Sequence, residues 1–115
     1  MPAYMIIKTK VTDREQYMKY VQAAQPLGDK HGRKFLVMSQ PVEVLEGSAS
    51  AFGLDPSLHE WPNEYLLVSE WPTAEAAREF WNSDEYRTIR RLREAAGEVH
   101  VVLTEAISKA PTKTA

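Results

Sequence analysis

One arginine of this chain stands where an apolar residue belongs. In the stretch SEWPTAEAAREFWNSDEYRTIRRLREAA, residues 69–96, Tyr86, Ile89, Leu92 and Ala96 recur at helical spacing and define one face. With Tyr86 set at 0° and 100° per residue, Arg93 falls at about 340°, inside the apolar arc; Arg87, Arg90 and Arg91 fall at about 40–140°, toward water. A guanidinium on a buried face is costly unless its donors are matched. It can act as a fixed fork for a carboxylate or enolate oxygen. It can instead form an internal ion pair, with Glu70 the first partner to consider, or run its stem along the helix with the head in solvent.

Two histidines could move a proton near neutral pH. His31 falls on the apolar face of the first predicted helix, where it can equally hydrogen-bond the last helical carbonyls. His59 lies in a long segment, 48–63, and bears on chemistry only if that segment closes over a site. No two histidines show metal-ligand spacing, so neither a metal site nor a cofactor is expected. Ser69 lacks the glycines of a hydrolase elbow. Tyr17, Tyr20, Trp81 and Tyr86 point toward the layer between helix and sheet, and Trp61 belongs to the long segment. Aromatics at that spacing serve as core, or as walls of an apolar pocket with polar tips. The candidate catalytic residues are therefore His31, Arg93 and His59, and the candidate substrate contacts Tyr17, Tyr20, Trp61, Glu70, Trp81 and Tyr86.

The elements that must position these residues read as β-α-β-β-α-β. AYMIIKTKV (3–11) has strand composition. TDRE has the capping-box form, with Thr12 as N-cap and Glu15 three residues on, and opens a helix in which Pro26 should cause a kink or a new turn before Gly32 ends it. KFLVMSQPVEVLEG (34–47) is a second strand, at an edge or with a bulge because of Pro41, and EYLLVSEW (64–71) a third. Two short helices follow, joined at Asn82-Ser83-Asp84 with Ser83 as the cap of the second. EVHVVLTEAI (98–107) closes the order, and 108–115 reads as a tail. Segment 48–63 is long for a connection. It carries Phe52, Leu54, Leu58, His59 and Trp61, and either packs on the protein or acts as a lid.

With 115 residues, 43% apolar, 26% charged and a formal charge of −2, the chain fits one globular domain, 1–107, with material for one core. No basic stripe argues for nucleic acid, and no apolar run reaches the roughly 18 residues that cross a membrane. There is no cysteine for a disulfide or thiolate. With no signal peptide to read, the cytoplasm is the expected compartment.

Four strands and two helical layers form a two-layer α+β sandwich of ferredoxin-like type, in which helices cover one sheet face. Yet adjacent strand positions are apolar in both phases, as in Ile6-Ile7, Leu66-Leu67 and Val101-Val102. A second copy docked sheet to sheet, a homodimer, is the economical cover. The stretches MPAYMIIKTKVTDREQYMKY, HGRKFLVMSQPVEVLEG and EYLLVSEWPTAEAAREFWNSDEYRTIRRLR, with the last strand, resemble the domain-of-unknown-function 1330 family of the dimeric α+β-barrel superfamily. The resemblance implies a four-stranded antiparallel sheet and a homodimer, and no agreed reaction. Relatives elsewhere in that superfamily include cofactor-free monooxygenases, cyclases and isomerases. The expected function is thus a small-molecule-binding protein, either a cofactor-independent enzyme on a small aromatic or carboxylate-bearing metabolite, or a non-catalytic dimeric module.

Overall fold

Alternation of side chains along the first strand sets the plan of the molecule. In the computed structural model, which describes residues 1–38, 43, 45–47 and 64–107, strand β1 spans Ala3–Val11. Its residues Ala3, Met5, Thr9 and Val11 are buried, while Ile6 between them is exposed. The chain continues through α1 (Arg14–Lys30), β2 (Lys34–Met38), β3 (Glu64–Trp71), α2 (Ala74–Asn82), α3 (Asp84–Glu94) and β4 (Gly97–Glu105). The sheet order is β2-β3-β1-β4, with every pairing antiparallel. Met5 sits between Ser69 and Leu103, and Ile7 between Leu67 and Val101. These residues share one phase of the pleat and so one face. This is the four-stranded α+β arrangement expected from the sequence.

Helices α2 and α3 are seated on that face, α2 against β1, β3 and β4, and α1 packs along α3. The core is the cluster Met5, Leu27, Trp71, Ala77, Phe80 and Tyr86. Its rings form a continuous stack, with centroids 4.8 Å apart for Trp71–Phe80 and 4.4 Å for Phe80–Tyr86. Ser83 sets this spacing. Its hydroxyl donates to the Phe80 carbonyl at 2.8 Å and accepts from the Tyr86 amide at 3.1 Å, ending α2 and starting α3 in one residue.

Some local expectations give way to tertiary contacts. Asp13, not Thr12, caps α1, accepting from the Gln16 amide at 3.1 Å. Thr12 is taken by the other end of the fold: its amide and hydroxyl both donate to the Ala96 carbonyl, at 2.8 and 3.1 Å. Helix α1 runs through Pro26 without ending. Pro26 is exposed, so the carbonyl that loses its partner there can turn to water. His31 and Gly32 close the helix as expected, Gly32 at φ +83°. The second strand is not one run to residue 47. Leu45–Gly47 form a bend with Gly47 at φ +83°, and the bulge lies between Phe35 and Val37. Pro41, the segment 48–63 with Phe52, Leu54, Leu58, His59 and Trp61, and the tail 108–115 lie outside the described residues.

Gly97 occupies a position only glycine fits. Its φ is +154°, and an added Cβ would overlap the Lys10 carbonyl oxygen across the β1–β4 ladder. Gly97→Ala should lower stability by roughly 2 kcal/mol or more, the cost of strained backbone plus a displaced ladder bond. Urea unfolding measures this; a change within experimental error would refute it.

Candidate functional site

Between α1 and the sheet lies a cavity of about 390 Å³. It exists because α1 leans on α3 rather than on the strands. Tyr20 of α1 and Tyr86 of α3 join the helices through their hydroxyls, 2.7 Å apart, with the rings edge to face at 6.3 Å. The floor is the helix-facing phase of the sheet: Met5, Ile7, Thr9 and Val11 of β1, with Leu67, Ser69, Val99 and Val101 beside them. The roof is the inner side of α1, with Tyr17, Tyr20, Val21 and Ala24. Phe80, Trp81 and Tyr86 close the α2–α3 side, while exposed Met18 and Met38 stand at the rim.

Two guanidinium groups enter this apolar space. Arg93 donates to the Tyr86 hydroxyl at 3.4 Å, and its head lies 5.6 Å from the Tyr20 ring and 5.7 Å from the Trp81 ring. Arg33 stacks over Phe35 at 4.5 Å and reaches Phe80 at 5.8 Å. Neither forms an ion pair among the described residues, where the ion pairs are Arg87–Asp84 and Arg90–Glu94. Burial pulls the Arg33 guanidinium below its ordinary value, with Tyr20, Asp29 and Tyr86 acting in the opposite sense. Arginine remains charged through such a shift. Gly28 makes room for it: a Cβ there would collide with the Arg33 guanidinium.

The polar chain at the roof has a direction. Arg93 donates to the Tyr86 oxygen, which favours Tyr86 donating in turn to Tyr20 and leaves the Tyr20 proton for whatever occupies the cavity. Desolvation, followed by the Tyr86 neighbour, pushes the Tyr20 phenol well above its ordinary 10.0, so it stays a neutral donor. On the floor, Ser69 accepts from the Trp71 indole at 3.0 Å. The Thr9 hydroxyl is fully buried with no hydrogen-bond partner among the described residues.

The cavity gathers five of the residues expected from sequence: Tyr17, Tyr20, Trp81, Tyr86 and Arg93. Two others stand elsewhere. His31 turns its Nδ1 to the Leu27 carbonyl at 3.0 Å and its ring edge to Phe80 at 5.8 Å, outside the lining, so it serves the end of α1. Glu70 is not the partner of Arg93. It alternates with Ser69 onto the other sheet face, where it accepts from the Tyr4 hydroxyl at 3.1 Å. His59 and Trp61 lie outside the described residues. Arg33 and Thr9 escaped the sequence reading, which weighed Ser69 only as a hydrolase nucleophile. Thr9 and Ser69 did carry a signal, as polar residues in the apolar phase of β1 and β3. Arg33 carried none, since it follows Gly32 in a connection that periodicity leaves open.

A family model described as "Domain of unknown function (DUF1330)" matches residues 2–54 and 55–107. The break falls within the long segment 48–63. No curated protein matches the chain. Among solved structures, a protein of unknown function from Rhodopseudomonas palustris is 17% identical, with a TM-score of 0.68 over 94% of this chain and 84% of that one. SnoaB, a cofactor-independent oxygenase from Streptomyces nogalater, is 11% identical, with a TM-score of 0.63 over 96% and 97%. A hypothetical protein from Arabidopsis thaliana is 12% identical, with a TM-score of 0.58 over 96% and 92%. At these identities the likeness is one of fold.

The Tyr20 environment sets a pH dependence. The folded state holds the phenol neutral, whereas the unfolded chain ionises at the ordinary 10.0. The associated stability is complete below pH 10 and is lost as pH rises beyond it. Urea unfolding from pH 9 to 11.5 should show stability falling less steeply for Tyr20→Phe than for the wild type; identical slopes would remove Tyr20 as the source.

Proposed function

The chain belongs to the family of domain of unknown function 1330, and from that premise we propose that it binds a small, largely apolar anion, an aromatic carboxylate or enolate, in the cavity under α1. The observation that carries this reading is the pair Arg33 and Arg93, held in an apolar cavity with no carboxylate in ion-pair contact among the described residues. Two guanidinium groups in one low-dielectric space repel and lose hydration. An entering oxyanion offsets both costs and accepts from the Tyr20 hydroxyl as well. The aromatic walls and methionine rim fit a flat hydrocarbon body, and the volume lies in the range of small-molecule sites.

The chemistry such a site supports is stabilisation of negative charge on oxygen. If it is catalytic, a substrate acidic enough to enter as enolate or phenolate would react without a cofactor, as an isomerisation, cyclisation, lyase step or oxygenation. A non-catalytic binding module is favoured by one specific observation. No histidine, aspartate or glutamate is among the lining residues described, so these supply no general base near neutral pH. In this reading Arg33 and Arg93 hold the oxyanion, the Tyr20 hydroxyl donates to it, and Tyr17, Trp81 and Tyr86 form the walls.

A second copy of the chain is proposed as the cover of the opposite sheet face. Ile6 pairs in register with Val68 and Val102, forming an apolar row across three strands. Val102 is 59% exposed and Leu36 51%. A patch of this kind at the centre of a sheet is an association surface.

Two measurements bear on these readings. Trp71 and Trp81 line the cavity and report occupancy by fluorescence. 2-Naphthoate should bind more tightly than the neutral 2-naphthalenemethanol. Arg93→Met or Arg33→Met should weaken the carboxylate by about 10–100-fold, the equivalent of ~1.5–3 kcal/mol for a charged hydrogen bond, and leave the alcohol unchanged. Equal binding of the two probes, or indifference to both substitutions, would sink the anion site. Sedimentation velocity should give about twice the 13.1 kDa chain mass, falling to one chain for Val102→Lys. A wild-type monomer at micromolar concentration rules the dimer out.

A further inference from the structure

The cavity has two polar ends, and only one carries half-buried charge. Arg33 lies over Phe35, which pairs with Ser69, itself opposite Met5. Arg93 reaches the same neighbourhood through Tyr86, which packs on Phe80. The charged end therefore stands over the Met5–Ser69 row. Thr9 lies four residues along β1, in the row with Val99 and Tyr65. At about 3.3 Å per residue that places it about 13 Å from the Met5 row.

Nothing among the described residues requires a threonine at position 9. Its neighbours on the same face are Ile7 and Val11, and valine would fill the same volume without a hydroxyl. Its hydroxyl is fully buried, has no partner among the described residues, and belongs to a residue that lines the cavity. A buried hydroxyl left unpaired is a standing cost that a ligand group can remove. Arg14, which opens α1 past the end of β1, is also at the rim but exposed, so solvent screens it.

We propose that Thr9 is a specificity-determining ligand contact, which selects anions carrying a second, uncharged hydrogen-bonding group, a hydroxyl or carbonyl, at the far end of a flat body about two fused rings long. This rests on the anion-binding reading above and adds to it the identity of the opposite end. The carboxylate meets Arg33, Arg93 and Tyr20. The distal oxygen meets the Thr9 hydroxyl, which both donates and accepts and so takes either a phenol or a ketone. A site built around such a group discriminates against the analogue lacking it, because the protein hydroxyl then stays unpaired.

Binding of 2-naphthoate and of 6-hydroxy-2-naphthoate to the full chain, by titration calorimetry, tests this. The hydroxylated probe should bind about 5–30-fold more tightly to the wild type. In Thr9→Val the preference should fall to about onefold, while 2-naphthoate keeps its affinity and the unliganded protein gains thermal stability. Thr9→Ser keeps the hydroxyl and should restore the preference, which separates loss of the contact from a repacked floor. A preference that persists in Thr9→Val, or that is absent from the wild type because a resident water already satisfies Thr9, overturns the proposal and leaves the anion site standing. Failure of both probes to bind the wild type overturns the anion site and this inference together.

Discussion

A hydroxyl pair on two helices keeps the interior of this protein open. Tyr20 and Tyr86 meet at 2.7 Å, and Arg93 secures the Tyr86 side. Because α1 is tied to α3 there, it spans the sheet without settling on it, and the space it bridges becomes the cavity. The same contact brings a cation, two phenols and an indole to one wall. Were α1 free to settle, Tyr17, Tyr20 and Val21 would pack onto Ile7 and Leu67 as an ordinary core, and the arginines would have to leave.

Support for that pair comes from the opposite side of the stack. Tyr86 is buried against Phe80, and Phe80 against Trp71, so its position is fixed by the aromatic core rather than by the cavity. Ser83 sets the angle at which α3 leaves α2 and hence where Tyr86 enters. A site whose polar groups are held from behind by packed rings is preorganised: binding need not order them.

The sequence made the architecture legible through composition and capping. β-Branched and aromatic residues in 3–11 and 64–71 mark strands that the structure reproduces at the same bounds, and the Ser83 joint follows from capping chemistry. Arg93 was visible as a charge inside an apolar arc. What was not legible depended on contacts between distant parts. Thr12 loses its capping role to a carbonyl 84 residues away. The carboxylate of Glu70 faces the other side of the sheet, which strand alternation alone could have shown. Arg33 enters the cavity only because the turn after α1 points it there, and no local pattern encodes that. His31 shows the converse: on the helical wheel it shares the apolar face, but in the fold its ring turns to the Leu27 carbonyl and away from the cavity lining.

Gly28 has a consequence for how such a protein can diversify. The Arg33 side chain rests in the gap left by a missing methyl on α1. The contact is with the end of a flexible side chain, so a larger residue at 28 would evict the guanidinium and leave the backbone where it is. The electrostatic character of the chamber is thus adjustable from outside its walls, by one helix position that is not among the residues lining it. Under the proposed anion reading, one substitution there would weaken the chamber's hold on negative charge without abolishing it, because Arg93 stays beside Tyr86 and the aromatic lining is untouched.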